Sequence, residues 1–378
     1  MIREEVKMRV SFSYLDRQFA DPAPYLEDIE ALVHSGEFTL GKAVGEFEER
    51  LAEIVGVPFA IGVSSGTDAI ALSLKALGIG EEDEVITTPL TFVATVGAII
   101  QIGARPVFVD SRRDLLIDSD KIEAAITKRT KAIVPVDYSG NVADMPLIFN
   151  IAQKHHLKIV EDACQAIYAT MDGRPVGSWS EAACISLHPL KNINVWGDGG
   201  VILTKDRSLS DRLKLMRNHG LFTRDEVTLF GWNARLHSLQ ATIGKRLIEG
   251  IEEITNRRIE LAKRYDGAFS DLGNFIQIPM RRKNVKHVYH LYIIHANRRD
   301  RLLNFLHNQG VDAKIHYPIP VHLQKAAKSL GYHEGDFPVS ESCCKDIISL
   351  PLHQHLTDEE LNYTIKQVRA FYLKGGTV

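Results

Sequence analysis

Cysteine is scarce in this 378-residue chain: Cys164, Cys184, Cys343 and Cys344 are the four it has, with no Cys-x-x-Cys spacing among them. At this length that excludes a disulfide framework and leaves reduced, mostly packed thiols as the expectation. An excess of either charge is also lacking. Lys and Arg number 45 against 48 Asp and Glu, a formal net charge of −3, and they are dispersed rather than gathered in blocks. Neither a nucleic acid nor an anionic membrane surface finds an electrostatic counterpart here. No stretch approaches the roughly 20 apolar residues that span a bilayer, and the first residues, MIREEVKMRV, lack the apolar core of a secretory leader. A cytoplasmic protein is expected, with neither nucleic acid nor membrane as partner. The chain has no internal repeat, low-complexity tract or long linker.

What is present is enough apolar material, 45% of residues, to bury a sizeable core, and a length that suggests one large and one smaller domain. From about residue 55 to residue 205, β-rich runs (FAIGVS, EVITT, RPVFVD, KAIVPV, LKIVED, ACISL, GVILT) alternate with helical patterns such as TDAIALSLKALG, FVATVGAIIQIG and MPLIFNIAQKHH. That alternation predicts parallel strands joined by crossover helices, a doubly wound α/β domain. After Leu236 one long helical stretch, LHSLQATIGKRLIEGIEEITNRRIELAKRYDGAFSDL, is expected, and the tail reads as an α+β unit with a strand in VYHLYIIHA and a final helix from Asp358.

In an open α/β sheet ligands gather at the carboxyl ends of strands. After FAIGVS comes Ser65-Gly66-Thr67-Asp68 before a helix, which suits a phosphate at a helix N-terminus or an ordinary N-cap. After LKIV comes Glu161-Asp162-Ala163-Cys164-Gln165; an acid there can hold a cationic ring nitrogen or a metal, or cap the next element. Lys191, in ISLHPLKNINVWGDGG, lies near the exit of an apolar strand. A lysine is usually a solvated charge, but burial lowers its pKa and frees the amine to attack carbonyls. A phosphate cradle, an acid for a pyridinium and a lysine for an aldehyde together match pyridoxal 5′-phosphate (PLP), and no metal site is expected.

With these segments the chain resembles the DegT/DnrJ/StrS family of PLP-dependent sugar aminotransferases. The likeness runs from about Phe38 to about Tyr372 and is carried by SSGTDAIALSLKALGIGEEDEVITTPLTFVAT, GARPVFVD, KIVEDACQA, HPLKNINVWGDGG, RNHG and GWNARLHSLQA. The resemblance implies the three-layer, aspartate-aminotransferase-like architecture (fold type I): a mostly parallel central sheet in a large PLP-binding domain, residues 1–254 with the N-terminal segment, and a small C-terminal α+β domain, residues 255–378. It implies that Lys191 carries the cofactor as an internal aldimine and then moves the proton, while Asp162 pairs with the pyridinium nitrogen. Gln165 then bonds the ring hydroxyl, Phe92 stacks on the ring, and Gly66, Thr67 and Ser186 take the phosphate. Asn233 is implied to reach the phosphate of a neighbouring subunit's cofactor, so a homodimer with active sites at the subunit interface follows.

Substrate contacts are expected from His188, from His316, Tyr317 and His322 in HYPIPVH, and from Trp196, whose bulk departs from the family's small residues before GDGG and could narrow the sugar pocket or simply fill a hinge. The segment Val136-Asp137-Tyr138-Ser139-Gly140 also departs from the family pattern. Arg281, Arg282, Lys283 and Lys286 form a basic loop that could meet substrate phosphates or be solvated. The function implied is transfer of an amino group from L-glutamate or L-glutamine to a keto sugar, nucleotide-linked in the commonest case, in amino-sugar biosynthesis. A keto-hexose 6-phosphate is the second acceptor class to consider. The same fold also admits a pyridoxamine-dependent sugar dehydratase, in which histidine replaces the lysine, and a non-catalytic PLP-binding regulator.

Overall fold

A computed structural model describes residues 8–373; residues 1–7, part of the stretch read above for a leader, lie outside them. The central sheet has strands β1 (Phe59–Val63), β2 (Glu84–Thr87), β3 (Arg105–Phe108), β4 (Thr130–Ile133), β5 (Lys158–Asp162), β6 (Ala182–Ser186) and β7 (Gly200–Thr204), in the order β1-β7-β6-β5-β4-β2-β3. Strands β6 and β7 carry no exposed side chain at any position, as expected of strands covered by helices on both faces.

One strand departs from the expectation. GVILT, read as part of the parallel run, is β7, and it pairs antiparallel with both β1 and β6. Parallel neighbours need a crossover, usually a helix, and residues 187–199 contain none. They turn back instead, so that Ser186 and Gly200 face each other across the ladder. The turn between them carries Lys191.

Helices α1 (Ala23–Ser35), α2 (Lys42–Val55), α3 (Gly66–Ala76), α4 (Val93–Gln101) and α5 (Met145–His155) cover the sheet and its flanks. One core packs Phe47, Leu51, Ile148 and Leu203, and a second, on α3 and α4, packs Ile70, Leu74, Ile99 and Ile202. The single long helix expected after Leu236 is two: α6 (Ser238–Ile248) and α7 (Ile251–Phe269). The chain breaks at Glu249-Gly250, where the Gly250 N–H bonds the Leu247 carbonyl in a turn, because glycine stabilises a helix interior poorly.

The C-terminal unit is a second sheet, β8 (Ile276–Gln277), β9 (Tyr292–Ala296) and β10 (Ile347–Leu350) in the order β8-β9-β10, with α7, α8 (Arg299–Asn308) and α9 (Asp358–Leu373). Its core holds Leu261, Tyr265, Tyr292, Leu302 and Val368, and Val10 from the N-terminal segment belongs to the same cluster. That segment lies along the C-terminal unit: Val10 bridges Val311 and Arg17 pairs with Glu360 at 2.5 Å. Among the described residues no helix is long and apolar enough to cross a membrane.

Candidate active site

The carboxyl ends of β1, β2, β4, β5 and β6 open on one cavity of about 380 Å3, closed from the other side by Phe12, Tyr14, Arg258, His290, His316 and Tyr317. Such a volume suits a small organic ligand.

Each strand end contributes through a local reason. After β1 the chain enters α3, and Ser65 is its N-cap: the Ser65 hydroxyl accepts from the Asp68 N–H at 3.0 Å, and the hydroxyls of Ser64 and Ser65 donate to Asp68 Oδ2 at 2.6 and 2.7 Å. With the Asp68 and Ala69 N–H groups served by Ser65, those of Gly66 and Thr67 are left by helix geometry for an anion. The cap read from the sequence is thus present, on Ser65, and the two N–H groups beside it remain open to the other use. Gly66 has no room for a side chain; a Cβ there would stand 2.8 Å from Cys164 Sγ and 2.9 Å from Ser186 Cβ. Ser186, at the end of β6, borders the same pocket.

Asp162, ending β5, is 5% exposed. Its Oδ2 accepts from Thr95 Oγ1 at 2.6 Å, Thr95 shares a hydrogen bond with Thr91 at 2.7 Å, and Oδ1 accepts from the Cys164 N–H at 3.2 Å. Gln165 has its oxygen taken by the Ser139 N–H at 2.7 Å, which leaves its NH2 as the group offered to a ligand. Lys191 follows a turn in which its N–H bonds the His188 carbonyl at 2.8 Å, and its own carbonyl accepts from the Tyr14 hydroxyl at 2.8 Å. Burial lowers the pKa of the Lys191 amine below the ordinary lysine value, with Cys164 and Asp162 acting the other way. That direction raises the share of neutral, nucleophilic amine.

Phe92, the N-cap residue of α4, presents its half-exposed ring at the cavity, 5.5 Å from the ring of Tyr317. His316 Nδ1 meets Ser349 Oγ at 2.9 Å, and burial, with Lys191 and Lys314, pulls its pKa down to about 4. The His188 pKa is lowered by burial and by Lys191.

The structure thus gathers Gly66, Thr67, Phe92, Asp162, Gln165, Ser186, His188, Lys191, His316 and Tyr317 around one space, and leaves three expected residues outside it. Trp196 packs edge-on to Phe19 at 5.6 Å and against Tyr25 at 5.7 Å. Val195 before it bonds Leu187 and turns into the core, so the next side chain leaves on the opposite side. His322 is buried with Nε2 3.1 Å from Glu341, against Phe108 and Phe337. Asn233 is exposed, in a bridge with Asn218, and does not border its own chain's cavity. In the basic loop, Arg281 pairs with Asp266 at 3.1 Å, Arg282 donates to the Val142 carbonyl, and the Lys286 amine lies 3.6 Å from the centre of the Tyr168 ring.

Sequence reasoning passed over Phe12, Tyr14, Thr95, Arg258 and His290. Thr95 was within reach, because it lies in TFVAT three residues after Phe92, in the first turn of α4; the others come from segments whose only link to the site is tertiary.

Known proteins resemble this chain over most of its length. The model of the DegT/DnrJ/EryC1/StrS aminotransferase family matches residues 23–369. A pleiotropic regulatory protein of Geobacillus stearothermophilus is 38% identical, over 97% of this chain and 99% of that protein. A dTDP-3-amino-3,4,6-trideoxy-alpha-D-glucose transaminase of Micromonospora megalomicea subsp. nigra is 37% identical, over 95% and 97%. A UDP-N-acetyl-3-dehydro-alpha-D-glucosamine 3-aminotransferase of Acidithiobacillus ferrooxidans is 38% identical, over 89% and 90%. Among solved structures, DesV of S. venezuelae in complex with a ketimine intermediate superposes with a TM-score of 0.94 at 36% identity, covering 96% of this chain and 98% of that one. Ntda of Bacillus subtilis with bound cofactor PMP gives 0.89 at 31%, covering 97% and 86%.

Proposed function

The chain belongs to the DegT/DnrJ/EryC1/StrS aminotransferase family, and from that premise we propose that its cavity holds PLP on Lys191 and passes an amino group from glutamate or glutamine to C3 of a nucleotide-linked keto sugar. It is a PLP-dependent sugar aminotransferase, and two of its relatives are named as transaminases of nucleotide-linked sugars. The observation that carries the site assignment is the convergence of Lys191, Asp162 and the N-terminus of α3 on one cavity from three distant segments.

The residues present fit the cofactor. The N–H groups of Gly66 and Thr67 with the Ser186 hydroxyl suit a phosphate, and the buried Asp162 carboxylate suits a protonated ring nitrogen. Bound PLP supplies an electron sink that loosens the proton on the carbon bearing the amine. The chain's residues do the rest. Asp162, held by Thr95 and the Cys164 N–H, would stabilise the proton on the ring nitrogen; the Gln165 NH2 would donate to the ring hydroxyl; Phe92 would cover the ring. The Lys191 amine, its pKa lowered by burial, would accept the proton from the donor carbon and return it to the cofactor's former aldehyde carbon. His188, His316 and Tyr317 border the space left for donor and sugar.

C3 is favoured because both named transaminase relatives carry position 3 in their names. A nucleotide-linked acceptor is favoured over a hexose phosphate because the same two names carry a nucleotide, dTDP in one and UDP in the other. Lys191 itself, where a dehydratase would have histidine, speaks for transamination. We infer a cytoplasmic homodimer as well: Asn233 lies outside its own cavity on the stretch that also exposes Phe222 and Phe230, at 66% and 99%, the place from which a second subunit's cofactor phosphate could be met.

The test is two half-reactions on the purified, PLP-loaded protein. Glutamate or glutamine alone bleaches the visible Schiff-base band, and a nucleotide-linked 3-keto sugar restores it faster than its 4-keto isomer or a keto-hexose 6-phosphate. Equal or faster restoration by the 4-keto isomer or the hexose phosphate would refute the C3, nucleotide-linked assignment.

A further inference from the structure

Arg258, on α7, borders the cavity and is 1% exposed, yet every hydrogen-bond acceptor around its guanidinium is neutral. Nε and Nη2 donate to Gln354 Oε1 at 3.1 and 2.9 Å, and Nη1 donates to the carbonyl oxygens of Tyr289, His290 and Leu352 at 3.0, 3.3 and 3.3 Å. The Tyr14 ring lies 5.4 Å away. Burial is the largest influence on the Arg258 charge, and among the described residues the next is Tyr14 rather than a carboxylate. Other buried arginines differ: Arg217 is paired with Glu48, and Arg299 with Asp300. A buried cation without an anion is costly, so a fold that keeps one against a ligand cavity leaves an anion to be supplied from outside.

A second observation points to the same wall. His290 also borders the cavity, and its buried Nδ1 has no hydrogen-bond partner among the described residues. Lys191, Arg258, His316 and His188 all lie near enough to act on its ring. The acids that line the same cavity are elsewhere engaged or placed: Asp162 is held by Thr95 and the Cys164 N–H, and Asp198 is exposed at the rim.

We propose that Arg258 and His290 form a carboxylate subsite, which receives either the α-carboxylate of the amino donor or a carboxylate carried by the sugar acceptor. The inference rests on the aminotransferase reading, and deepens it by naming the chemistry that orients a substrate opposite Lys191. Arg258 supplies the charge and His290 Nδ1–H a directed donor; a neutral amide in the carboxylate's place keeps the shape and loses the charge pairing.

The experiment uses PLP-loaded wild type and the variants Arg258→Gln, Arg258→Lys and His290→Gln, with the visible cofactor band verifying that each is folded and loaded. Calorimetry with 2-oxoglutarate reads the subsite without turnover, and about a tenfold weaker Kd in Arg258→Gln, largely restored in Arg258→Lys, is expected. In the donor arm, wild type prefers glutamate over its α-amide by about tenfold or more in the half-reaction, and Arg258→Gln loses that preference. In the acceptor arm, a nucleotide-linked 3-keto sugar with a C6 carboxylate is compared with its neutral C6 alcohol; loss of discrimination in this arm instead assigns the subsite to the sugar. Arg258→Gln that binds 2-oxoglutarate as wild type does, and keeps both preferences, overturns the proposal. A wild type that binds 2-oxoglutarate through Arg258 but never responds to an amino donor overturns the aminotransferase reading and leaves the carboxylate subsite standing.

Discussion

Thr95 Oγ1 donates to Asp162 Oδ2 at 2.6 Å, across from the Cys164 N–H that holds the other carboxylate oxygen. The acid proposed to face the cofactor ring is thereby oriented by one residue of α4 and one of its own loop. A hydrogen bond to a charged group contributes about 1.5–3 kcal/mol. Thr95→Val is expected to lower kcat about tenfold to a hundredfold while the protein stays folded, measured by steady-state kinetics with the best keto sugar. An unchanged kcat would mean that Asp162 needs no such positioning.

Asp162→Asn keeps the shape of the side chain and removes its charge, so the ring nitrogen is no longer held protonated. The glutamate half-reaction should slow by about 10²–10⁴-fold, the range for losing a proton-controlling group, with the cofactor still attached to its lysine. Stopped-flow absorbance reads the rate.

Gly66→Ala tests the phosphate cradle. The new methyl group would meet Cys164 Sγ at 2.8 Å and Ser186 Cβ at 2.9 Å, and relieving such contacts costs about 1–3 kcal/mol. PLP affinity, followed by fluorescence titration, should fall together with the melting temperature of the holoenzyme.

Much of this site was legible from sequence because it is built from strand ends. Gly66 and Thr67 follow β1, Asp162 and Gln165 end and follow β5, and Ser186 closes β6; in each case a short run of neighbours announces the element and its exit. Lys191 was legible for the same reason, although the reversal of β7 that positions its turn was not, since an apolar run does not reveal strand direction. Arg258 and His290 were illegible. On α7 the pair Arg257-Arg258 reads as an ordinary charged helix face, and only the packing of Tyr289, His290 and Leu352 around Arg258 turns it inward. Trp196 failed in the opposite direction: nearness to Lys191 in sequence suggested the pocket, whereas backbone alternation sends it to Phe19 and Tyr25.

That placement gives a prediction of its own. Trp196→Ala should lower thermal stability by about 1–3 kcal/mol through lost aromatic packing, with kcat/KM for each keto sugar nearly unchanged. A shift in the ranking of sugars would return Trp196 to the substrate pocket.

The buried histidines set an acid limit. The His316 pKa is pulled from 6.5 down to about 4 and that of His353 to about 3, in both cases chiefly by burial. The unfolded chain therefore binds more protons than the folded one below pH 6.5, so stability declines as pH falls from there toward about 4 and 3. Melting temperature against pH should show that decline, and His316→Gln with His353→Gln should make it shallower, the buried His287 and His290, whose pKa values burial also lowers, keeping the remainder.

The aminotransferase account depends on Lys191 holding the cofactor. Incubation of the protein with PLP, borohydride reduction and peptide mass mapping reads this directly: one pyridoxyl adduct is expected, on the peptide that carries Lys191, and none in Lys191→Ala. An adduct on another lysine, or none on the wild-type protein, would contradict it.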